Sequence, residues 1–228
     1  MSKTEEKKRA ALAAVEYVQS GMTLGLGTGS TAYFAIEAIG ERWQAGTLRD
    51  IRAIPTSVAT AEQARSYGIP LVDLPDVASI DLTIDGADEF DQQMRLIKGG
   101  GGALFREKLV AFASKEMIVI SDASKQVNQL GAFPLPVEVL PMAKRLVQQA
   151  LENYNCQPVL RLQENGQPYF TDNQNLIFDC HLKAIDNPEK LDLALQKIPG
   201  IVETGLFLGL ATKVVMGKGD EVVEYEIR

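Results

Sequence analysis

Residues 22–46 read MTLGLGTGSTAYFAIEAIGERWQAG, and the reading of this stretch decides the fold. The opening MTLGLG (22–27) is a short apolar run of the kind that makes a buried strand. From 30 to 46 the apolar residues recur at helical spacing. Between the two stand Gly27, Thr28 and Gly29, so the chain turns from strand to helix on a glycine loop. The same rhythm continues outward. IRAIPTS (51–57) predicts a second strand, and the helix after it ends on Gly68 as its C′ residue. IPLVDL (69–74) and SIDLTID (79–85) predict further strands. ALFREKLVAFASK (103–115) predicts a helix with Phe105, Leu109 and Phe112 on its apolar face. MIVISD (117–122) is continuously apolar, as strands of parallel sheets covered on both faces are. Strands alternating with helices imply an α/β layer joined by right-handed crossovers.

The texture changes at FPLPVEVLP (133–141), where Pro134, Pro136 and Pro141 favour an extended connector. Beyond it the pattern predicts a helix over 142–154 and a strand near PVLRL. An Asn165-Gly166 turn then leads to strands around PYFTD and NLIFDCHL. A helix opens at Pro188 and closes before Pro199-Gly200, and another strand follows. Helix, three strands, helix and strand suggest a small α+β domain on an antiparallel sheet. The tail KVVMGKGDEVVEYEIR is two alternating runs about a Gly-Lys-Gly-Asp turn, and it is expected to return to the first domain.

The totals narrow the function. With 228 residues, the chain has room for one large domain, or one medium domain with a smaller companion. A formal charge of −7 argues against nucleic acid or an anionic membrane as the main partner. No apolar run is long enough to cross a bilayer and the N-terminus is charged, so a cytoplasmic globular protein is expected. The N-terminal stretch is amphipathic, with Leu12, Val15 and Val18 at helical spacing. Cys156 and Cys180 are too few for a disulfide framework and read as free thiols. One histidine, His181, and no cysteine cluster make a zinc site improbable.

Four stretches carry the chemistry. GLGTGSTA (25–32) lacks the Lys-Ser/Thr of a P-loop. Gly27, Gly29 and Ala32 fit a dinucleotide pattern, but that fingerprint needs an acid at the far end of the second strand. Asp50 precedes that strand, and Thr56 and Ser57 stand at its far end, so NAD loses ground. A phosphate monoester fits better, held by Thr28, Gly29, Ser30 and Thr31 at a helix N-terminus. IDGADEF (84–90) ends an apolar strand, where ligands of open α/β sheets bind. It offers Asp85, Gly86, Ala87 and Asp88. KGGGGALFREK (98–108) sets Lys98 before Gly99, Gly100, Gly101 and Gly102, with Glu107 beyond them. Neighbouring acids favour the protonated form of such a carboxyl and a nearby cation its ionised form, as proton abstraction beside a carbonyl requires. SDASK (121–125) follows another strand and offers Lys125.

These blocks, with PTSVAT, TDNQN and IPGIVETGLF, resemble ribose-5-phosphate isomerase of the A type, in order and spacing along almost the whole chain. The resemblance implies an α/β fold: a Rossmann-like catalytic domain (1–132 plus 206–228) and a smaller ferredoxin-like α+β domain (133–205). It implies interconversion of ribose 5-phosphate and ribulose 5-phosphate in the pentose phosphate pathway, with no metal or organic cofactor, by a homo-oligomer, dimer or tetramer. Glu107 matches the catalytic base, and Asp85 and Asp88 the acids that assist ring opening and hydroxyl proton transfers. Lys98 and Gly99, Gly100 and Gly101 match the loop facing the developing oxyanion. The segment 28–31 and Lys125 match the phosphate end, with Lys7 as a further candidate there. Phe105 and Gln174 depart from residues frequent in the family, Gln174 standing where glycine is common. Two alternatives compete. One is a related sugar-phosphate isomerase or deaminase, or a CoA-transferase, on a similar fold. The other is a non-catalytic sugar-phosphate sensor, which would need the phosphate loop but not three acids and a lysine.

Overall fold

A computed structural model describes residues 2–226 of the chain. In chain order the elements are α1 (Lys3–Val15), β1 (Thr23–Leu26), α2 (Ser30–Gln44), β2 (Arg52–Pro55), α3 (Val58–Ser66) and β3 (Ile80–Gly86). Then come β4 (Glu89–Phe90), β5 (Leu96–Ile97), α4 (Leu104–Phe112), β6 (Ser114–Asp122), β7 (Leu135–Val139), α5 (Lys144–Glu152) and β8 (Gln157–Leu160). The chain finishes with β9 (Leu176–His181), α6 (Pro188–Leu195), β10 (Ile201–Thr204), β11 (Leu206–Phe207), β12 (Lys213–Lys218) and β13 (Glu221–Glu226). It divides into two compact units: 1–87, 106–126 and 209–228 in the first, 88–105 and 127–208 in the second.

The first unit holds a six-stranded sheet in the order β13-β12-β6-β3-β1-β2. All its neighbours run parallel except β12 and β13, which form the antiparallel hairpin expected of the tail. β1 has β2 on one side and β3 on the other. The strand order therefore reverses at β1, and a crevice opens there beyond the carboxyl ends of the strands. One face of the sheet is closed by α1 and α2, whose Ala10, Ala14, Ile36 and Ile39 join Leu24, Leu82 and Ile120 in one core. On the opposite face Val110 of α4 joins Ile54 and Ile80.

Gly25 explains how closely α4 approaches: a Cβ there would stand 2.6 Å from Val110 Cγ1 and 1.9 Å from Thr83 Oγ1. Two helix faces differ from expectation. Phe112 is 81% exposed, and Leu104, Val110 and Ala111 are buried instead. Along α1 the covered stripe is Ala10, Ala11, Ala14 and Val15, with Leu12 left at the surface. In both cases periodicity offered two stripes, and along α1 the small residues won because the helix lies close to the sheet. Residues 69–74 form no strand. Leu71 makes an isolated bridge to Ala53, and a turn of 3-10 helix spans Leu74–Asp76.

The second unit holds a four-stranded antiparallel sheet, β10-β7-β9-β8, and a small three-stranded one, β11-β5-β4. Val147 and Leu151 of α5 and Leu195 of α6 pack on Leu135, Val137, Val139 and Phe178. The proline-rich 133–141 is not a connector, because β7 lies inside it and is buried throughout. Proline survives in this central strand because β10 pairs only with Val137, Glu138 and Val139. Pro136 lies beyond the end of β10, where a missing N–H costs no ladder bond on that side. PYFTD adds no strand, only an isolated bridge from Leu162 to Pro168. The segment 88–105 groups with 127–208, whereas the sequence reading put it in the parallel-sheet domain. Its β5 pairs with β11, and the Lys98 N–H donates to the Gly205 carbonyl at 2.9 Å.

Candidate active site

The first unit builds its functional rim at the carboxyl ends of β1 and β3. Gly27 follows β1 and donates its N–H to the Ile84 carbonyl at 3.0 Å. It must be glycine, since a Cβ would lie 2.1 Å from Asp85 Oδ1. Asp85 is fully buried, and its Oδ1 accepts from the N–H groups of Gly86 at 2.7 Å and Thr28 at 3.1 Å. The acid thus holds the glycine loop and fixes the strand-to-helix turn.

Thr28 Oγ1 sits 2.7 Å from Thr56 Oγ1, 2.9 Å from Ser57 Oγ and 3.1 Å from Thr60 Oγ1. Thr60 in turn donates to the Gly27 carbonyl at 2.8 Å. The hydroxyls at the far end of β2, where a dinucleotide site would need an acid, are this cluster. Gly29, at φ +111, is the N-cap of α2 and supplies no side-chain cap. Ser30 is the first helical residue, and its hydroxyl accepts from Lys7 Nζ at 2.9 Å. A helix N-terminus without a side-chain cap, two hydroxyls (Ser30 and Thr31) and an ammonium group together attract an anion. Gly29, Ser30 and Lys7 open on a cleft of about 660 Å³ that Tyr33, Phe34 and Gln63 also line, with Thr31 buried behind them.

Glu107 lies in the first turn of α4 and is 3% exposed. It stands three residues before Val110, so the two share a face of the helix. Val110 packs toward the sheet, which draws Glu107 inward as well. Burying a carboxyl is costly unless its surroundings are arranged for it. Lys125 is half-buried on a short 3-10 turn after β6, where Asp122 caps the turn by accepting from the Ser124 N–H at 3.0 Å.

In the second unit, Asp88 opens the chain into β4, and its N–H donates to the Ile97 carbonyl at 2.9 Å. Its Oδ2 accepts from the Gly100 N–H at 2.7 Å. A Cβ on Gly100 would come 2.6 Å from Asp88 Oδ1, so this glycine is required for the contact. Lys98 is 2% exposed, with its ammonium 5.3 Å from the centroid of the Phe207 ring, a cation–π contact. The glycine run is a tight turn closed by Gly102 N–H on the Gly99 carbonyl at 2.9 Å. Gly99 at φ +106 and Gly102 at φ +80 take conformations that other residues rarely adopt.

Sequence reasoning missed the supports of this unit. Arg161 and Tyr169 contact the carbonyls of the glycine run. Glu138, fully buried on β7, gathers Thr171 Oγ1, Asn173 Nδ2 and Asn175 Nδ2 on one oxygen and so shapes the TDNQN turn. The one available signal was an acid interrupting an apolar strand: Glu138 in PLPVEV and Asp179 in NLIFDC.

Known proteins share this sequence and fold. The family model for ribose 5-phosphate isomerase A (phosphoriboisomerase A) matches residues 52–221. A ribose-5-phosphate isomerase A from Parvibaculum lavamentivorans is 49% identical, over 98% of this chain and the whole of the relative. One from Cereibacter sphaeroides is 51% identical over 94% of this chain and 84% of its own length. Among solved structures, a D-ribose-5-phosphate isomerase in complex with phospho-erythronic acid superposes with a TM-score of 0.97 at 37% identity, covering both chains completely. The enzyme of Methanocaldococcus jannaschii does so with a TM-score of 0.94 at 39% identity, over 99% of this chain and all of that one. With half the sequence shared along nearly its full length and the backbone superposed from end to end, this chain belongs to the ribose-5-phosphate isomerase A family and is an isomerase of that kind.

Proposed function

We propose that the chain interconverts D-ribose 5-phosphate and D-ribulose 5-phosphate through a cis-enediolate, with Glu107 as the general base. The observation that carries this reading is the buried carboxyl of Glu107 in the first turn of α4, the helix that follows a run of glycines in the sequence. In the open-chain aldose, Glu107 takes the proton from C2, and the electron pair forms the C1–C2 double bond while negative charge moves to O1. O1 gains a proton and the C2 hydroxyl loses one, in transfers attended by Asp85 and Asp88. Glu107 then returns its proton to C1, leaving a ketone at C2 and a hydroxymethyl group at C1. No atoms are gained or lost.

Lys98 and the loop Gly99, Gly100 and Gly101 supply positive charge and backbone N–H donors for the transient oxyanion, except that the Gly100 N–H is taken by Asp88 Oδ2 at 2.7 Å. Preset donors of this type lower a barrier by about 2.7–4 kcal/mol each. Thr28, Gly29, Ser30 and Thr31, with Lys7 and Lys125, hold the phosphate. Gly86 and Ala87 continue the backbone past Asp85, beside the sugar. Anchoring the remote phosphate places C1 and C2 at the base, so that binding raises turnover as well as affinity. The uncapped N-terminus of α2 and the Lys7–Ser30 contact support this end of the reading.

The family resemblance further supports a homo-oligomer working in the non-oxidative pentose phosphate pathway of the cytoplasm. Among the described residues no helix is long and apolar enough to cross a membrane. The direct test is to incubate chelator-treated protein with ribose 5-phosphate and follow the ketose. Formation of ribulose 5-phosphate is expected, and its absence would leave the sensor reading standing instead.

A further inference from the structure

A run of glycines has no side chains with which to fix its own peptide planes, yet an oxyanion site needs those planes fixed before the reaction begins. Within the second unit the fixing comes from sixty residues further along the chain, in the segment after β8. Arg161 Nη1 donates to the Gly99 carbonyl at 2.8 Å and to the Gly100 carbonyl at 3.2 Å. The rest of its guanidinium is held by Asp179 of β9, which accepts from Nε at 2.9 Å through Oδ2 and from Nη2 through Oδ1. The guanidinium carbon stands 5.9 Å from the centroid of the Tyr169 ring, and the Tyr169 hydroxyl donates to the Gly101 carbonyl at 3.4 Å. Three successive carbonyls are thereby drawn toward one Arg–Tyr pair.

A trans peptide points its N–H opposite its carbonyl. With the Gly99 carbonyl on Arg161, the Gly100 N–H faces the other way and meets Asp88 Oδ2 at 2.7 Å. With the Gly100 carbonyl on Arg161, the Gly101 N–H is turned to the same side, and no backbone carbonyl among the described residues accepts from it. A cation on the carbonyl end of a peptide also polarises its N–H and strengthens it as a donor. Gly102 leaves no slack, since a Cβ on it would come 2.2 Å from the Tyr169 hydroxyl.

We propose that Arg161, oriented by Asp179, is a positioning residue for the isomerisation: it sets the Gly99–Gly101 peptides so that the Gly101 N–H faces the developing oxyanion and the Gly100 N–H holds Asp88 in place. The proposal rests on the isomerase reading above. It differs from a simple brace in one respect. A brace contributes equally to every folded molecule, bound or free, whereas a positioning residue acts on the step in which charge develops.

The test is steady-state kinetics of Arg161→Met together with binding of two probes, inorganic phosphate and phospho-erythronic acid. The latter is one carbon shorter than the sugar phosphate, so with its phosphate anchored its anionic carboxylate falls at C2, beside the carbons where charge develops. In folded Arg161→Met, kcat is expected to fall about 10- to 100-fold while KM stays within about threefold. Phospho-erythronic acid is expected to bind at least about tenfold more weakly, with inorganic phosphate unchanged. Arg161→Lys keeps the charge but not the fork, and is expected to recover part of kcat.

If Arg161→Met strands Asp179 and does not fold, the paired Arg161→Met/Asp179→Leu removes that charge, and the same thresholds apply to it. A folded variant with kcat within about twofold of the parent would overturn the proposal, as would equal weakening of both probes. Failure of the parent chain to make any ribulose 5-phosphate would remove the isomerase reading itself, a result separable from any effect of Arg161.

Discussion

At the scale of single residues, the protein spends conformational freedom and burial where chemistry needs them. Glu107 is 3% exposed on a helix whose neighbours Leu109 and Phe112 are left at the surface. A carboxyl drawn inward past available apolar side chains points to a role beyond packing. Replacement by glutamine keeps shape and removes the carboxylate proposed as the base. For Glu107→Gln we predict turnover reduced at least about 100-fold, with inorganic phosphate binding and thermal stability nearly unchanged. Turnover near the parent value, measured on folded protein, would remove Glu107 from the mechanism. Gln174 shows the opposite economy. It sits at φ +63 in the TDNQN turn, in the region that favours glycine. A non-glycine residue in the left-handed region costs about 1 kcal/mol, partly offset by the lower entropy of its unfolded chain. Gln174→Gly is therefore expected to leave stability equal or up to about 1 kcal/mol higher, read from a denaturant titration. A loss of stability would mean that the Gln174 side chain contributes more than its backbone strain costs.

At the scale of elements, the parallel sheet of the first unit is stitched by side chains as well as by its ladder. Asp81 on β3 accepts from the Thr23 N–H of β1 at 2.8 Å and from Lys115 Nζ of β6 at 2.7 Å. The hydrogen bond from Lys115, followed by that from Thr23, holds the Asp81 carboxyl below its ordinary value of 3.8. A carboxyl made more acidic by folding stabilises the native state above its unfolded value, and that contribution is lost as pH falls through the native one. Lys115 is largely in water, so its pairing is screened. We predict that Asp81→Asn costs about 0.5–1 kcal/mol at neutral pH and that the difference from the parent fades in acid below the ordinary carboxylate range. A difference that persists unchanged into acid would show that the charge plays no part. The elements also show where proline content misleads. β7 carries Pro136 and yet is a central strand, because β10 ends before that residue is reached. Only the length of a neighbouring strand, set far along the chain, makes that proline tolerable.

At the scale of the molecule, the chain passes from one unit to the other after Ala87, Phe105, Gln126 and Leu208. Each unit therefore closes loops that run through the other, and the two are expected to unfold together. The protein carries its own probes. Its single tryptophan, Trp43, packs on the core of the first unit, while Cys156 and Cys180 are buried in the second. The contact with Cys156, and then burial, push the Cys180 thiol well above its usual range, so native protein is expected to resist alkylation. We predict that Trp43 fluorescence and cysteine labelling report the same urea midpoint. Midpoints more than about 0.5 M apart would show two independent transitions. What the sequence by itself determined was the strand–helix rhythm, the glycine loops at strand ends and the acids that follow them, because these depend on period, backbone freedom and near neighbours. Tertiary structure alone decided which faces of α1 and α4 are covered, that 135–139 is a strand, and that Arg161, Asp179 and Glu138 brace distant turns. Those outcomes depend on which surfaces and backbone groups meet across long stretches of chain, and no local pattern encodes that meeting.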